Sequence, residues 1–339
     1  MSGLADRPSD LNRVSDALPG LARRRVGQAF VYIDPRGRRV RAAAVLRRVK
    51  SLAIPPAWSD VWICPDAKGH LQATGRDARG RKQYRYHPRF REQRESEKYA
   101  HLLEFAKALP RIRAAVAEDM AAPGLSRDKV IATVVYLLEA TLIRVGNADY
   151  ARQNKSYGLT TMRDPHVAVD GAEMTFDFTG KSGRAWRIRL KDRRIARIVK
   201  ACRDLPGQHL FQYLDDDGKR QRVSSGDVNA YLRRVSGRDV TAKDFRTWAG
   251  TLMAALTLAE QPAAESAAAK RIVKAAVAEV AERLGNTVAV CRKGYIHPVV
   301  IEAYEQCTLA RRFRPRGAKR KDGLECEEAA LIALLKSCR

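Results

Sequence analysis

Residues 95–120 read ESEKYAHLLEFAKALPRIRAAVAEDM. The apolar residues keep helical spacing, and Pro110 is expected to break the helix. Upstream the pattern is short and β-like. AFVYID (29–34) is followed by the turn residues PRGR, then by VRAAAVLRRV (40–49), VWICPD (61–66), KGH and LQATG (71–75). The change near residue 95 marks a boundary. A β-rich domain over 26–95 precedes a larger, mainly helical one over 96–310, so the fold class is α+β. Residues 1–25 are polar and expected to be flexible. Residues 311–339 read as a basic loop and a last short helix.

The helical part opens with SRDKVIATVVYLLEATLIR (126–144), with Ser126 as N-cap and Val130, Val134, Leu138 and Leu142 on one face. HVAVDGAEMTFDFTGKSGRAWRIRL (166–190) interrupts the helices. Its alternation and its two turns, Asp170-Gly171 and Lys181-Ser182-Gly183, predict an inserted hairpin or three-strand sheet. Helices resume in KDRRIARIVKACRDL, SGDVNAYLRRVSG and AKDFRTWAGTLMAALTLAEQ. AAESAAAKRIVKAAVAEVAERLG ends at Gly285 as a C-cap and reads as a long spacer.

Charge narrows the function. The 339 residues hold 64 Lys and Arg against 38 Asp and Glu, a net charge of +26. Such a field draws a protein to polyanions. The most apolar run, VIATVVYLLEATLI (130–143), is short and interrupted by Glu139, so it reads as a buried helix and no membrane is expected. The N-terminus lacks the apolar core of a secretory signal. Nucleic acid in the cytoplasm or nucleoid is the favoured partner. The six cysteines (64, 202, 291, 307, 326 and 338) form no Cys-x-x-Cys pair and have no histidine at ligand spacing, so reduced thiols and no metal are expected. TGKSG (179–183) lacks the earlier glycine of a phosphate loop, since Thr175 stands there, so no nucleotide cofactor is expected.

GRDARGRKQYRYHPRFRE (75–92) sets cations among Tyr84, Tyr86, His87 and Phe90, a pattern that suits phosphates and bases together. The tail at 311–321 reads as a nonspecific electrostatic segment. Metal-free cleavage of a phosphodiester would need a nucleophile, fixed positive charge on the non-bridging oxygens, and an acid for the departing alkoxide. Tyrosine, arginine and lysine can fill these roles. Arg144, Lys181, Arg246 and Tyr295 are candidates. Taken singly, each also fits a structural role, because arginines pair with carboxylates and tyrosines pack.

TLIRVGNADYARQNKSYGLTTM (141–162), FTGKSG (178–183), KDFRTW (243–248) and CRKGYIHP (291–298), in that order, resemble the catalytic segments of type IB DNA topoisomerases, especially the small bacterial and poxvirus branch. ARGRKQYRYHP (78–88) is similar to a DNA-contacting segment of that branch. The resemblance spans roughly residues 25–310. It implies two domains that clamp duplex DNA, with Arg144 and Arg246 gripping the scissile phosphate and Lys181 as general acid toward the 5′ oxygen. Tyr295 would be the nucleophile left on the 3′ phosphate. Where many relatives carry histidine, RLGNTV (283–288) has Asn286, which can still donate to a phosphate oxygen. Gln83 and Tyr84 would reach the groove. Arg81 and Lys82 would hold phosphates, with Arg85 and Tyr86 in the same contact strand. Gly294 is expected to turn the chain so that Tyr295 enters a cationic pocket. The implied activity is relaxation of supercoils by a monomer without ATP or metal. A tyrosine recombinase shares the chemistry, but it usually carries His-x-x-Arg where this chain has Lys243-Asp244-Phe245-Arg246. A non-enzymatic DNA-binding protein would account for the charge alone.

Overall fold

The computed structural model describes residues 10–264, 266–315 and 323–337. It is 51% helix and 18% strand, an α+β chain. It falls into two compact units, the first ending at Tyr99 and the second beginning at Ala100.

The first unit is built on five strands, β1 (Leu21–Val26), β2 (Ala29–Ile33), β3 (Ser59–Ile63), β4 (Leu71–Arg76) and β5 (Lys82–Tyr86), paired antiparallel in the order β2-β1-β3-β4-β5. One helix, α1 (Ala43–Ser51), lies between β2 and β3 in sequence. It occupies the VRAAAVLRRV segment that alternation had suggested was β-like. The alanines favour helix, and Val45, Val49 and Leu52 fall on one face that meets Leu21, Val61, Ile63 and Ala73 of the sheet. The flexible N-terminus expected over 1–25 is also corrected for its described part. Asn12 pairs with Lys68 and His70 through backbone hydrogen bonds of 2.9 Å, Trp62 Nε1 donates to Leu18 O at 2.8 Å, and β1 begins at Leu21. Residues 1–9 lie outside the described part of the chain.

The second unit carries the remaining elements. They are α2 (Pro88–Ala121, which begins in the first unit), α3 (Arg127–Thr141), α4 (Ala148–Asn154), β6 (Val167–Asp170), β7 (Glu173–Thr179), β8 (Ala185–Lys191) and α5 (Arg193–Asp204). They continue with β9 (Gln212–Leu214), β10 (Arg220–Arg222), α6 (Ser225–Ser236), α7 (Ala242–Ala259), α8 (Ser266–Leu284), α9 (Val288–Tyr295), α10 (Pro298–Glu305), α11 (Leu309–Arg312) and α12 (Cys326–Lys336). The inserted sheet is antiparallel in the order β6-β7-β8, with Lys181 at the β7–β8 tip. Among the described residues no helix is long and apolar enough to cross a membrane.

Three helical expectations change. α2 runs through Pro110 without a break. Losing the proline N–H and crowding the preceding turn costs about 3 kcal/mol, but Phe105, Ala106, Leu109 and Ile112 on either side are all buried and hold the helix together. α8 is no spacer: Ala269, Val273, Ala276, Val277, Val280, Ala281 and Leu284 bury a continuous stripe, and it packs on α7 and α9. Gly294 is helical inside α9. The chain turns one residue after Tyr295, at Ile296 (φ −119°, ψ 128°), where His297-Pro298 begins the next helix.

α12 is tied to the centre of this unit through Glu328, which is 3% exposed. Its carboxylate accepts two hydrogen bonds of 2.8 Å from Arg113, one of 3.1 Å from Trp248 Nε1 and one of 3.0 Å from the Glu325 N–H. Burial alone would raise the pKa of Glu328, yet these donors hold it below the usual carboxylate value. A carboxylate with a depressed pKa stabilises the fold above its unfolded pKa, and that contribution fades as the pH drops through its folded value. Glu328→Ala also leaves Arg113 short of a partner. It is expected to cost about 3–5 kcal/mol at pH 7, read as a lower urea midpoint, with the gap to wild type narrowing in acid. A midpoint unchanged at pH 7 would show that the ion pair contributes nothing.

Candidate active site

Four of the sequence candidates line one cavity of about 410 Å³ in the second unit: Arg144, Lys181, Arg246 and Tyr295. Each is delivered by a different element. Arg246 sits on α7. That helix starts with a capping box, in which Asp244 accepts from the Thr241 N–H at 2.8 Å and from its hydroxyl at 2.9 Å. Phe245 packs edge-on to Phe105 with ring centroids 4.9 Å apart, and Trp248 is buried beside them. These aromatics fix the rotation of α7, so Arg246 points the other way, at the ends of two helices. It donates to Leu142 O past the end of α3, and to Leu284 O at the end of α8 at 2.5 Å.

Arg144 follows α3, whose C-cap Leu142 is left-handed (φ 58°). The extended segment after it is pinned by the turn at 158–161. The Leu159 N–H donates to Arg144 O at 2.9 Å, and the Thr160 N–H donates to Val145 O at 2.7 Å. Gly158 is needed for this approach, since a Cβ there would stand 2.4 Å from Arg144 O. The Arg144 guanidinium donates to Gly285 O at 3.0 Å and to Asn286 Oδ1. Arginine cannot accept, so the Asn286 oxygen faces Arg144 and its amide Nδ2, buried and without a partner, is a spare donor. Asn286 thus meets Arg144 without lining the cavity.

Tyr295 ends α9. The Thr251 hydroxyl on α7 donates to Thr247 O at 2.7 Å, accepts from the His297 N–H at 3.1 Å and stands 3.3 Å from Tyr295 O, across the point where the chain turns. Gly250 makes room, because a Cβ on it would meet Tyr295 O at 2.7 Å. The Arg246 guanidinium lies 5.3 Å from the centre of the Tyr295 ring. Lys181 Nζ lies 5.9 Å from the ring of Tyr150, which lines the same cavity.

The cavity holds Arg144, Lys181, Lys243 and Arg246 among its lining residues and no carboxylate. Burial, then the neighbouring charge of Arg144, pulls Arg246 down to about 10. Burial likewise lowers Arg144, helped by Arg184 and opposed by the phenols of Tyr295 and Tyr150. Two crowded, desolvated guanidiniums held by carbonyl and amide oxygens and by the Tyr295 phenol, with no carboxylate beside them in the cavity, form a receptor for an anion. Sequence reasoning missed Lys243, Tyr150, Gly250 and Thr251. Lys243 was within reach, since its i, i+3 spacing from Arg246 puts both on one helix face. Gly250 and Thr251 carried no signal, because their role is contact with a backbone 44 residues away in sequence.

The other candidates lie in the first unit, on and beside β5. Alternation puts Lys82, Tyr84 and Tyr86 on one face, with Gln83 and Arg85 on the other. The Tyr84 and Tyr86 rings stack 5.9 Å apart, with Tyr84 47% exposed. The polar members are held within the unit. Arg81 bonds Asp77 at 2.7 and 2.8 Å, and Gln83 donates to the same carboxylate at 2.9 Å. Lys82 meets Asp16 at 2.5 Å, and Arg85 donates to Ala53 O at 2.9 Å. Arg81 holds Asp77 down to about 2. Among the described residues no group of acidic, histidine and cysteine side chains could hold a metal, and Cys64, Cys202, Cys291, Cys307 and Cys326 are free thiols. Residues 316–322 of the basic tail lie outside the described residues, as does Cys338.

Residues 87–314 match the family described as eukaryotic DNA topoisomerase I, catalytic core, and residues 29–77 match bacterial DNA topoisomerase IB, N-terminal domain. The chain is 32% identical over 296 residues to DNA topoisomerase 1B of Acanthamoeba polyphaga mimivirus, covering 85% of this chain and 88% of the relative. It is 20% identical over 268 residues to DNA topoisomerase 1B of vaccinia virus (strain Copenhagen), covering 77% and 81%. The catalytic-core match spans the segments that supply the cavity's arginines, lysines and tyrosines, and together these matches make the chain a member of the type IB DNA topoisomerase family, an isomerase acting on DNA.

Proposed function

We propose that the protein relaxes supercoiled duplex DNA by cutting one strand, letting the free end rotate, and resealing it. The observation that carries this reading is the carboxylate-free cavity lined by Arg144, Lys181, Arg246 and Tyr295. The carbonyl and amide oxygens that hold Arg144 and Arg246 bring only partial charge. No acid lines the cavity with them, and a phosphodiester supplies the missing charge.

The Tyr295 oxygen attacks the scissile phosphorus and forms a P–O bond to the 3′ phosphate while the P–O5′ bond breaks. The phenolic proton passes to solvent, and Lys181 gives a proton to the departing 5′ oxygen. Arg144, Arg246 and the spare Asn286 amide donor stabilise charge on the non-bridging oxygens. Resealing is the reverse: the 5′ hydroxyl attacks, Lys181 recovers its proton, and Tyr295 leaves. One ester replaces another at each step, so the bond energy is conserved and no nucleotide is consumed. One chain carries every residue the steps use, so a monomer suffices. Its place of work would be the nucleoid, in the cytoplasm. Tyr84 and Tyr86 on the exposed face of β5 would meet the duplex beside Lys82.

The deciding experiment is relaxation of negatively supercoiled plasmid in EDTA without ATP, with wild type beside Tyr295→Phe. Wild type is expected to relax the plasmid, and the variant to bind it without relaxing it. If the variant relaxes, the nucleophile is another residue; if neither does, the enzymatic reading fails. Asn286→Ala removes one donor and the oxygen that braces Arg144. It is expected to slow single-turnover cleavage by about 100-fold with little change in DNA affinity. A wild-type rate would remove Asn286 from the site.

A further inference from the structure

Trp186, near the start of β8, has its indole pressed against two glycines. A Cβ on Gly180, the residue before Lys181, would stand 2.7 Å from the indole Cδ1 and Nε1. A Cβ on Gly285 would stand 2.1 Å from Cζ2. Gly180 has an ordinary backbone (φ −92°), so it is the ring and not the conformation that excludes a side chain there. Gly285 is left-handed as well (φ 61°). Gly285 and Asn286 are the residues that receive the Arg144 guanidinium. The indole therefore joins the hairpin tip that carries Lys181 to the turn that braces Arg144.

The tip closes on its own backbone, with the Gly180 N–H donating to Arg184 O at 2.7 Å and the Gly183 N–H to Gly180 O at 3.1 Å, and Thr179 O below it accepts from the Tyr157 N–H at 2.8 Å. Lys181, Ser182 and Gly183 are exposed, and Ser182 and Gly183 both have positive φ. Gly180 beneath them is buried. The Arg184 guanidinium covers the ring with its carbon 4.8 Å from the centroid. Trp186 also lines an open cavity of about 560 Å³ with Met253, Leu256 and Val280, so the ring is no plug in a sealed core.

We propose that Trp186 is a positioning residue for Lys181, setting where the hairpin tip stands relative to the arginine clamp and so aiming the ammonium at the 5′ oxygen. The inference rests on Lys181 being the general acid. The proton it governs moves from Lys181 Nζ to the 5′ oxygen as the P–O5′ bond breaks and the Tyr295 ester forms.

The test is single-turnover cleavage at a site mapped on plasmid DNA, using two duplexes that differ only at the bridging 5′ atom, oxygen or sulfur. A thiolate leaves without being protonated, so loss of the acid's alignment is felt by the oxygen duplex alone. Trp186→Ala is expected to cut the oxygen duplex about 100-fold more slowly and the sulfur duplex near the wild-type rate. Trp186→Phe, which keeps an aromatic ring at the base of the tip, is expected to recover part of the loss. Gly180→Ala drives the indole away without deleting it, is expected to share the selective defect, and replaces Trp186→Ala should that variant not fold. Equal slowing on both duplexes, or an unaffected oxygen duplex, overturns the proposal. Lys181→Ala separates the two readings. If sulfur does not spare it, the acid assignment itself is wrong. If sulfur spares it but not the Trp186 and Gly180 variants, only the role of Trp186 is wrong.

Discussion

The hydrogen bonds from the Arg246 guanidinium to Leu142 O and Leu284 O organise the second unit. The last carbonyls of a helix lack intrahelical donors and sit at the negative end of its dipole. One buried cation satisfies two such ends, so α3, α7 and α8 converge at a single side chain. Both helices then leave through a left-handed residue, Leu142 in one case and Gly285 in the other. The exits lead directly to Arg144 and Asn286, which bond each other. The anion receptor is a by-product of how two helices end beside the start of a third.

This arrangement is electrostatically incomplete without a ligand. Carbonyl oxygens orient a guanidinium but bring only partial charge, and burial with Arg144 nearby depresses Arg246 to about 10. The fold bears that cost through its apolar packing, with Phe105, Phe245 and Trp248 holding α7 from behind and Gly250 letting α9 lie close in front. Donors fixed before a substrate arrives need no reorganisation when charge develops, which is the property the proposed reaction would use.

Much of this was legible in the sequence. Ser126 as an N-cap, the two turns of the inserted sheet, and the arginine, lysine and tyrosine blocks all carry local signals of spacing or composition. The reading failed where long-range packing overrode a local rule. Pro110 passes through a helix because its flanks are buried, and alanines that suggested a spacer in α8 are small because neighbouring helices come close. Gly294 looked like the turn before Tyr295, yet the turn comes after it, held by Thr251 from another helix. The glycines at 158, 180 and 250 are there for what approaches them, and no window of sequence shows that.

The pairing of Lys82 with Asp16 and of Arg81 with Asp77 has a consequence for how the two units sense ionic strength. The salt dependence of nucleic-acid binding comes from small ions displaced when a cation neutralises a phosphate. Lys82 and Arg81 already have carboxylate counterions built into the chain. Moving them onto a phosphate exchanges one covalently tethered anion for another and sheds fewer ions from the DNA in net terms, since an unpaired Asp attracts cations back. The cavity around Arg246 contains no such built-in counterion. Were both to meet a phosphate backbone as proposed, rising salt would weigh more heavily on the cavity around Arg246 than on the strand that displays Tyr84 and Tyr86. The chain has in effect two electrostatic grips of different stiffness, one at the surface buffered by its own acids and one buried without them.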